Sequence, residues 1–189
     1  TVLQTVNSLT SALEMRDPYT AGHQQRVSKL AVSIAKKIGF DETAIEGIMV
    51  AGNLHDIGKI SVPSEFLTKP GQLSEEELNV IKMHPRIGFE ILKDIEFPWP
   101  IASIVLQHHE RIDGSGYPFG LEKNDIMLEA KILSVADVAE AMGTNRPFRI
   151  SPGVEQALYE IKTNRGIKYE PCVVDACITL FREDGFCWD

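Results

Sequence analysis

The chain carries five histidines, and each stands where a metal centre could use it. His55 is followed directly by Asp56, and His108 directly by His109. His23 and His84 continue a series in which ligand-type residues recur about once per helix-length segment, with Asp137 as its last member. Imidazole is the commonest side-chain metal ligand, so this regular spacing points to one site assembled from many helices. Neighbouring residues on a helix lie about 100° apart, so His55 can hold one ion while Asp56, with two oxygens, bridges to a second. Two ions roughly 3.5 to 4 Å apart form a clamp suited to phosphoester cleavage, in which a bridging hydroxide attacks in line. Imidazole and carboxylate ligands without thiolate suit Fe, Mn, Zn, Ni or Co. Lys59, three residues beyond Asp56, is on the same side if the helix extends that far, where it can hold a phosphate oxygen as a point charge.

The elements that must position these groups read as helices, with apolar spacings of three and four and no period-two strand. Helices are expected over residues 1–17, 21–38 with Gly39 past its end, and from the N-cap Asp41 to Ile57 before Gly58. A loop with Pro63, Pro70 and Gly71 leads to the capping box Ser74 and Glu77, which opens a helix to about His84. Pro85 starts a short helix to Lys93. Further helices are expected over 99–109, 128–142, 152–164 and 171–183, with a Gly-rich loop at 111–125. On these helices His23 shares a face with Val27, Leu30 and Ile34, His55 continues Ile48 and Ala51, and His108 extends Ile101 and Ile104. Asp137 follows Ala130 and Leu133 on a face that should be buried, where an isolated charge costs several kcal/mol or more unless it is paired or bound to a cation. A single histidine on an apolar stripe is more often an ordinary core residue, and Asp137 alone could pair with Arg146 or Arg149. The joint occurrence on separate helices is what favours a metal site.

Composition sets the outer bounds. A chain of 189 residues suffices for one domain burying roughly 70% of its unfolded surface. It is 43% hydrophobic and 24% charged, with no apolar run long enough to span a bilayer and no secretory signal at residues 1–10, so a cytoplasmic location without direct membrane contact is expected. The three cysteines, Cys172, Cys177 and Cys187, lack a CxxC pair and make a poor disulfide framework, which fits a reducing compartment. A net charge of −8 argues against DNA or RNA binding by a basic surface.

The segments HQQR (His23 to Arg26), HDIGK (His55 to Lys59), HPRIG (His84 to Gly88), HHERIDGSGYP (His108 to Pro118) and ADVAEAMGTNRPFR (Ala136 to Arg149) closely resemble the HD-GYP subgroup of HD-domain metallophosphohydrolases. The match runs in order from about Arg16 to Phe181. The resemblance implies an all-α fold of seven or more helices with a GYP loop, and hydrolysis of the bacterial messenger cyclic di-GMP to pGpG or GMP. It implies two divalent transition-metal ions, Fe or Mn first. One is expected on His23, His55, Asp56 and Asp137, the other on Asp56, His84, His108 and His109. Asp56 and Lys59 are the catalytic candidates. Some members hold a third ion through a Glu four residues before the first His; Tyr19 stands there, so two ions are expected. Lys59, Tyr117 and Arg146, with Asp17 and Arg149 after them, match positions that contact substrate. Tyr117 supplies a stacking face, and Gly114 and Gly116 let the loop approach a ligand closely.

Residues 1–17 are expected to be an N-terminal helix, linking to a sensor or receiver module and pairing with a second copy, and 18–189 the catalytic domain. The GYP loop is the expected contact for a signalling partner. The chain departs from the subgroup's usual DxxDALT at Glu140 and Gly143 and from FDP at Tyr169, and the first two are expected near the substrate pocket. This leaves room for another cyclic dinucleotide such as cyclic GMP-AMP, or for a cyclic dinucleotide-sensing or protein-interaction module with little turnover.

Overall fold

Val27, Leu30, Ala31 and Ile34 recur at helical spacing and are all fully buried in the computed structural model, as are Ile48 and Ala51 on the next helix. The structure describes residues 2–16, 22–145 and 150–188. It is helical, with two isolated bridges and no strand among those residues. The helices are α1 (Val2–Arg16), α2 (His23–Lys37), α3 (Glu42–Leu54), α4 (Ser64–Leu67), α5 (Glu75–Ile81), α6 (His84–Leu92), α7 (Ile101–Gln107), α8 (Leu128–Gly143), α9 (Val154–Thr163) and α10 (Pro171–Arg182). The all-α expectation holds. No helix among the described residues is long and apolar enough to cross a membrane.

Local chemistry accounts for some boundaries. Asp41 caps α3 by accepting from the Ala44 N–H at 2.8 Å, and the Ser74–Glu77 capping box forms in full at the start of α5. Gly39 ends the first of these turns at φ 91°, which an L side chain rarely adopts. Around the centre, α2 packs between α3 and α8, while α6 packs on α7 and on the 3₁₀ segment Ile57–Ser61. The N-terminal helix lies on α3 through buried Val6 and Leu13, with Thr10 donating to the Asn53 carbonyl at 3.1 Å.

Three expected helix ends move, and each move matters for the site. The third helix stops at Leu54 rather than Ile57, and the chain turns into 3₁₀ geometry. The cause is close packing: a Cβ on Gly58 would sit 1.9 Å from the His84 carbonyl oxygen and 2.6 Å from the Gly88 nitrogen. Only a glycine lets this turn press onto α6. The fourth expected helix ends at Ile81, so His84 opens α6 instead of closing α5. Likewise α7 ends at Gln107, which leaves His108 at its C-cap. The short helix α4 falls in a stretch expected to be loop.

Candidate metal centre

The histidines thus sit at helix ends rather than along helix faces, and the ends explain how they are held. The last carbonyls of a helix have no intrahelical partner. His55 Nδ1 lies 2.6 Å from the Gly52 carbonyl, His84 Nδ1 2.8 Å from that of Ile81, and His108 Nδ1 2.6 Å from that of Val105. Each ring donates its Nδ1 proton three residues back to a helix end, which turns its Nε2 toward the centre. His23 opens α2, where the unsatisfied backbone groups of the helix are donors. Its Nδ1 is instead bonded to the Glu140 carboxylate.

Asp56 lies between two sets of rings. Its Oδ2 is 3.5 Å from His55 Nε2 and 3.7 Å from His23 Nε2, and its Oδ1 is 3.3 Å from His84 Nε2. His84 Nε2 is 3.4 Å from His108 Nε2, and the His108 and His109 rings lie 4.0 Å apart. Asp137 Oδ1 is 3.3 Å from His23 Nε2 and 3.9 Å from His55 Nε2. Two ligand groups result: His23, His55 and Asp56, and Asp56, His84, His108 and His109, with ligand atoms inside each group within 4.8 Å of one another. The seven predicted ligands therefore converge, with Asp137 on the edge of the first group. His23, His55, Asp56, His84 and His108 are buried, whereas His109 and Asp137 are half-buried and mark the open side.

The donor chemistry fits metal ions. Buried His55 Nε2 has no hydrogen-bond partner, although an unpaired polar atom costs free energy in the interior. Burial pushes His84 down to about 4 and His108 to about 3, and it holds His109 well below the ordinary imidazole range. These three stay neutral and able to ligate at physiological pH. For His23 burial acts in the same sense, but hydrogen bonds and charge from Asp137 and Glu140 outweigh it and raise the ring to about 9. Burial would raise Asp56 and Asp137; the cationic Lys59 and neighbouring imidazoles hold Asp56 well below the usual carboxylate range, and His23, His55 and His109 do so for Asp137. A site with one buried and one half-buried carboxylate among five imidazoles is one that cations complete.

The other predicted residues separate. Lys59 Nζ is bonded to Asp56 Oδ2 at 2.7 Å, because a 3₁₀ turn stacks positions three apart. It is thus an ion-pair partner of the Asp56 carboxylate, at the rim. The Tyr117 ring stacks on His109 at 4.7 Å, with Lys82 Nζ 5.7 Å from its centroid. The glycine expectation needs correcting: Gly116 approaches the chain itself, since a Cβ there would lie 2.4 Å from the Arg111 nitrogen, and Gly114 serves a left-handed turn at φ 78°. Glu140 and Gly143 both meet protein partners. Glu140 is fully buried on His23, and a Cβ at Gly143 would meet Trp188 and Val154 at 3.5 Å. Tyr169 is buried beneath Arg111, 5.3 Å from its ring. Asp17, Tyr19, Arg146 and Arg149 lie outside the described residues.

Sequence reasoning missed Glu110. Its buried carboxylate accepts from the Phe119 and Leu121 N–H groups at 2.8 and 2.9 Å and so ties the GYP loop to the turn carrying His108 and His109. A glutamate beside two ligand histidines, followed by a Gly-rich loop, was the available signal.

A family model for the HD domain matches residues 7–173. The chain belongs to the HD domain family. Among HD domain relatives, the cyclic di-GMP phosphodiesterase response regulator RpfG of Xanthomonas campestris pv. campestris is 42% identical over 177 residues, covering 93% of this chain and 47% of that protein. A cyclic di-GMP phosphodiesterase of Thermotoga maritima is 42% identical over 184 residues, covering 96% of this chain and 49% of the relative. The chain therefore spans about half the length of these relatives. In fold, this HD domain is similar to an HDG"Y"P protein from Bdellovibrio bacteriovorus, with TM-score 0.72 and 22% identity over 96% of this chain and 61% of that one. The HD-GYP resemblance of the sequence stands with these findings.

Proposed function

We propose that this HD domain is a metal-dependent phosphodiesterase that hydrolyses cyclic di-GMP to pGpG, to GMP, or to both. The observation that carries the reading is Asp56, whose two oxygens face separate histidine groups. Its support is the convergence of seven imidazole and carboxylate ligands, together with relatives named for this activity. Two divalent ions, Fe or Mn before Zn, Ni or Co, would be held by His23, His55, Asp56 and Asp137 and by Asp56, His84, His108 and His109. When bound, such a pair polarises a phosphoryl group and lowers the pKa of a water nucleophile.

The chain's own residues do the rest. Nδ1 bonds to helix-end carbonyls keep the Nε2 atoms of His55, His84 and His108 directed inward. Lys59 leaves its place on Asp56 to meet a non-bridging phosphate oxygen, and Tyr117, braced on His109, borders the ligand at the half-buried side. Hydrolysis joins a water oxygen to phosphorus as the P–O3′ bond breaks, giving a 5′-phosphate and a 3′-hydroxyl, the latter taking a proton from the water. The Glu140 carboxylate is taken up by His23, Arg26 and Thr144, so a preference for cyclic GMP-AMP would not come from a direct contact of that group.

A cytoplasmic location belongs to the same proposal and rests on Cys172, Cys177 and Cys187, which lack a CxxC pair and make a poor disulfide framework. So do pairing through α1 and a signalling contact at the GYP loop, whose Phe119 is exposed beside Arg86. The test is elemental analysis of the purified protein, followed by anaerobic hydrolysis of cyclic di-GMP and cyclic GMP-AMP with Fe(II) and with Mn(II). The expected result is two ions per chain and faster turnover of cyclic di-GMP. Two bound ions without turnover of either substrate would replace the enzyme with a binding module.

A further inference from the structure

Four of the ligand histidines follow a common pattern or crowd one another, but His23 is held differently. It begins α2, and its Nδ1 is bonded to a side chain where His55, His84 and His108 are bonded to helix-end carbonyls. Its Nδ1 needs an acceptor brought from elsewhere in the fold. Glu140, 117 residues away and fully buried, supplies it through Oε2.

We infer that Glu140 is a positioning residue for the first ion, fixing the His23 ring and its tautomer with Arg26 and Thr144 as braces. Both oxygens of the carboxylate are committed. Oε2 takes the His23 Nδ1 proton, while Oε1 accepts from Arg26 Nε and Nη2, each at 2.8 Å, and from the Thr144 hydroxyl at 2.8 Å. The helices interlock through residues three apart, which share a face. On α2 these are His23 and Arg26; on α8 they are Asp137 and Glu140. His23 meets both α8 carboxylates, Asp137 at its Nε2 and Glu140 at its Nδ1. The proton thus sits on Nδ1, and Nε2 is left toward the ion. Arg26 offsets the buried charge that this arrangement requires, since an unpaired buried carboxylate is costly. Gly22 belongs to the same device: it lies at φ 73°, and a Cβ there would sit 2.8 Å from Arg26 Nη1. Carboxylates bonded to a ligand histidine raise its basicity and hold its orientation, and losing one typically lowers metal affinity 10–100-fold.

This inference rests on His23 being a ligand of the first ion, and the experiment separates the two claims. Mn(II) is titrated by calorimetry into the metal-stripped full chain, as wild type, Glu140→Gln and His23→Ala. Glutamine keeps the size and can accept from Nδ1, but it carries no charge and its amide NH2 would face the Arg26 and Thr144 donors. The expected result is that His23→Ala loses one site, while Glu140→Gln weakens that site roughly 10–100-fold and leaves the other within about twofold of wild type. A second readout is the downfield Nδ1 proton resonance of His23 in the Zn(II)-loaded protein, which should shift upfield in Glu140→Gln. Unchanged affinities and an unmoved resonance in Glu140→Gln, even with a lower Tm, would overturn the positioning role. Both sites intact in His23→Ala would overturn the metal assignment itself. Should Glu140→Gln fail to fold, Thr144→Val, which removes one hydroxyl donor from Oε1, must weaken the same site by a smaller factor; no change there counts against the inference.

Discussion

Removing the Glu110 carboxylate should release the GYP loop without unfolding the domain. In Glu110→Ala two hydrogen bonds to a buried charge disappear, those from the Phe119 and Leu121 N–H groups. Bonds to charged groups contribute about 1.5–3 kcal/mol each, so the ceiling is about 3–6 kcal/mol. Phe119 is exposed and can turn its freed N–H to water, which moves the cost toward the lower bound. At about 3 kcal/mol the equilibrium for opening the loop shifts by a factor of about 10². Native-state hydrogen exchange reads this directly. Exchange at the Phe119 and Leu121 amides should quicken about 100-fold. The Ile112 and Lys123 amides, bonded to Lys168 and Ile112 carbonyls, should keep their protection. Unchanged exchange at Phe119 and Leu121 would refute the idea that Glu110 ties down the loop. An equal rise at all four amides would show instead that the carboxylate supports the whole domain.

Lys59→Ala should lower turnover about 100-fold, the scale of losing one oxyanion donor, with metal content unchanged; a parallel loss of metal would give Lys59 a ligand-supporting role instead. Metal uptake should also depend on pH differently at the two sites. His23, raised to about 9, is protonated at pH 7, so an ion must displace that proton and first-site affinity should climb about tenfold per unit up to pH 9. The second site, with His84 at about 4 and His108 at about 3, should be flat from pH 6 to 9; equal slopes in anaerobic Mn(II) titrations would contradict this. Gly58→Ala drives a methyl to 1.9 Å from the His84 carbonyl oxygen, an overpacking expected to cost about 3 kcal/mol. For a chain of this size that lowers Tm by about 6–12 °C, and a wild-type Tm would show the contact to be soft.

The candidate cluster was legible in the sequence because each residue type is scarce and chemically specific: the five histidines and Asp56 converge, with Asp137 3.3 Å from His23. The helical class was legible from apolar periodicity and from caps such as Asp41 and Ser74, which act locally. What could not be read was where the helices stop. The end of α3 depends on Gly58 meeting His84 and Gly88 across the fold, a contact that neither propensity nor capping encodes. Histidines therefore looked like members of helix faces when they are helix-end groups bonded to unsatisfied carbonyls. The partners of Glu140 and Gly143 were illegible for a related reason. A motif assigns them to a helix near the site but not to a side of it, and only packing turns Glu140 toward His23 and Gly143 toward Trp188.

The central claim is that two ions share Asp56 and act together on a cyclic dinucleotide. It is tested most directly by following cyclic di-GMP hydrolysis while Mn(II) is added stepwise to metal-stripped protein under anaerobic conditions, for wild type and Asp56→Ala. Activity should stay low through the first equivalent and rise through the second, and Asp56→Ala, with its helices intact by circular dichroism, should bind little metal and turn over nothing. Activity that saturates at one equivalent, or full activity in Asp56→Ala, would contradict the shared centre.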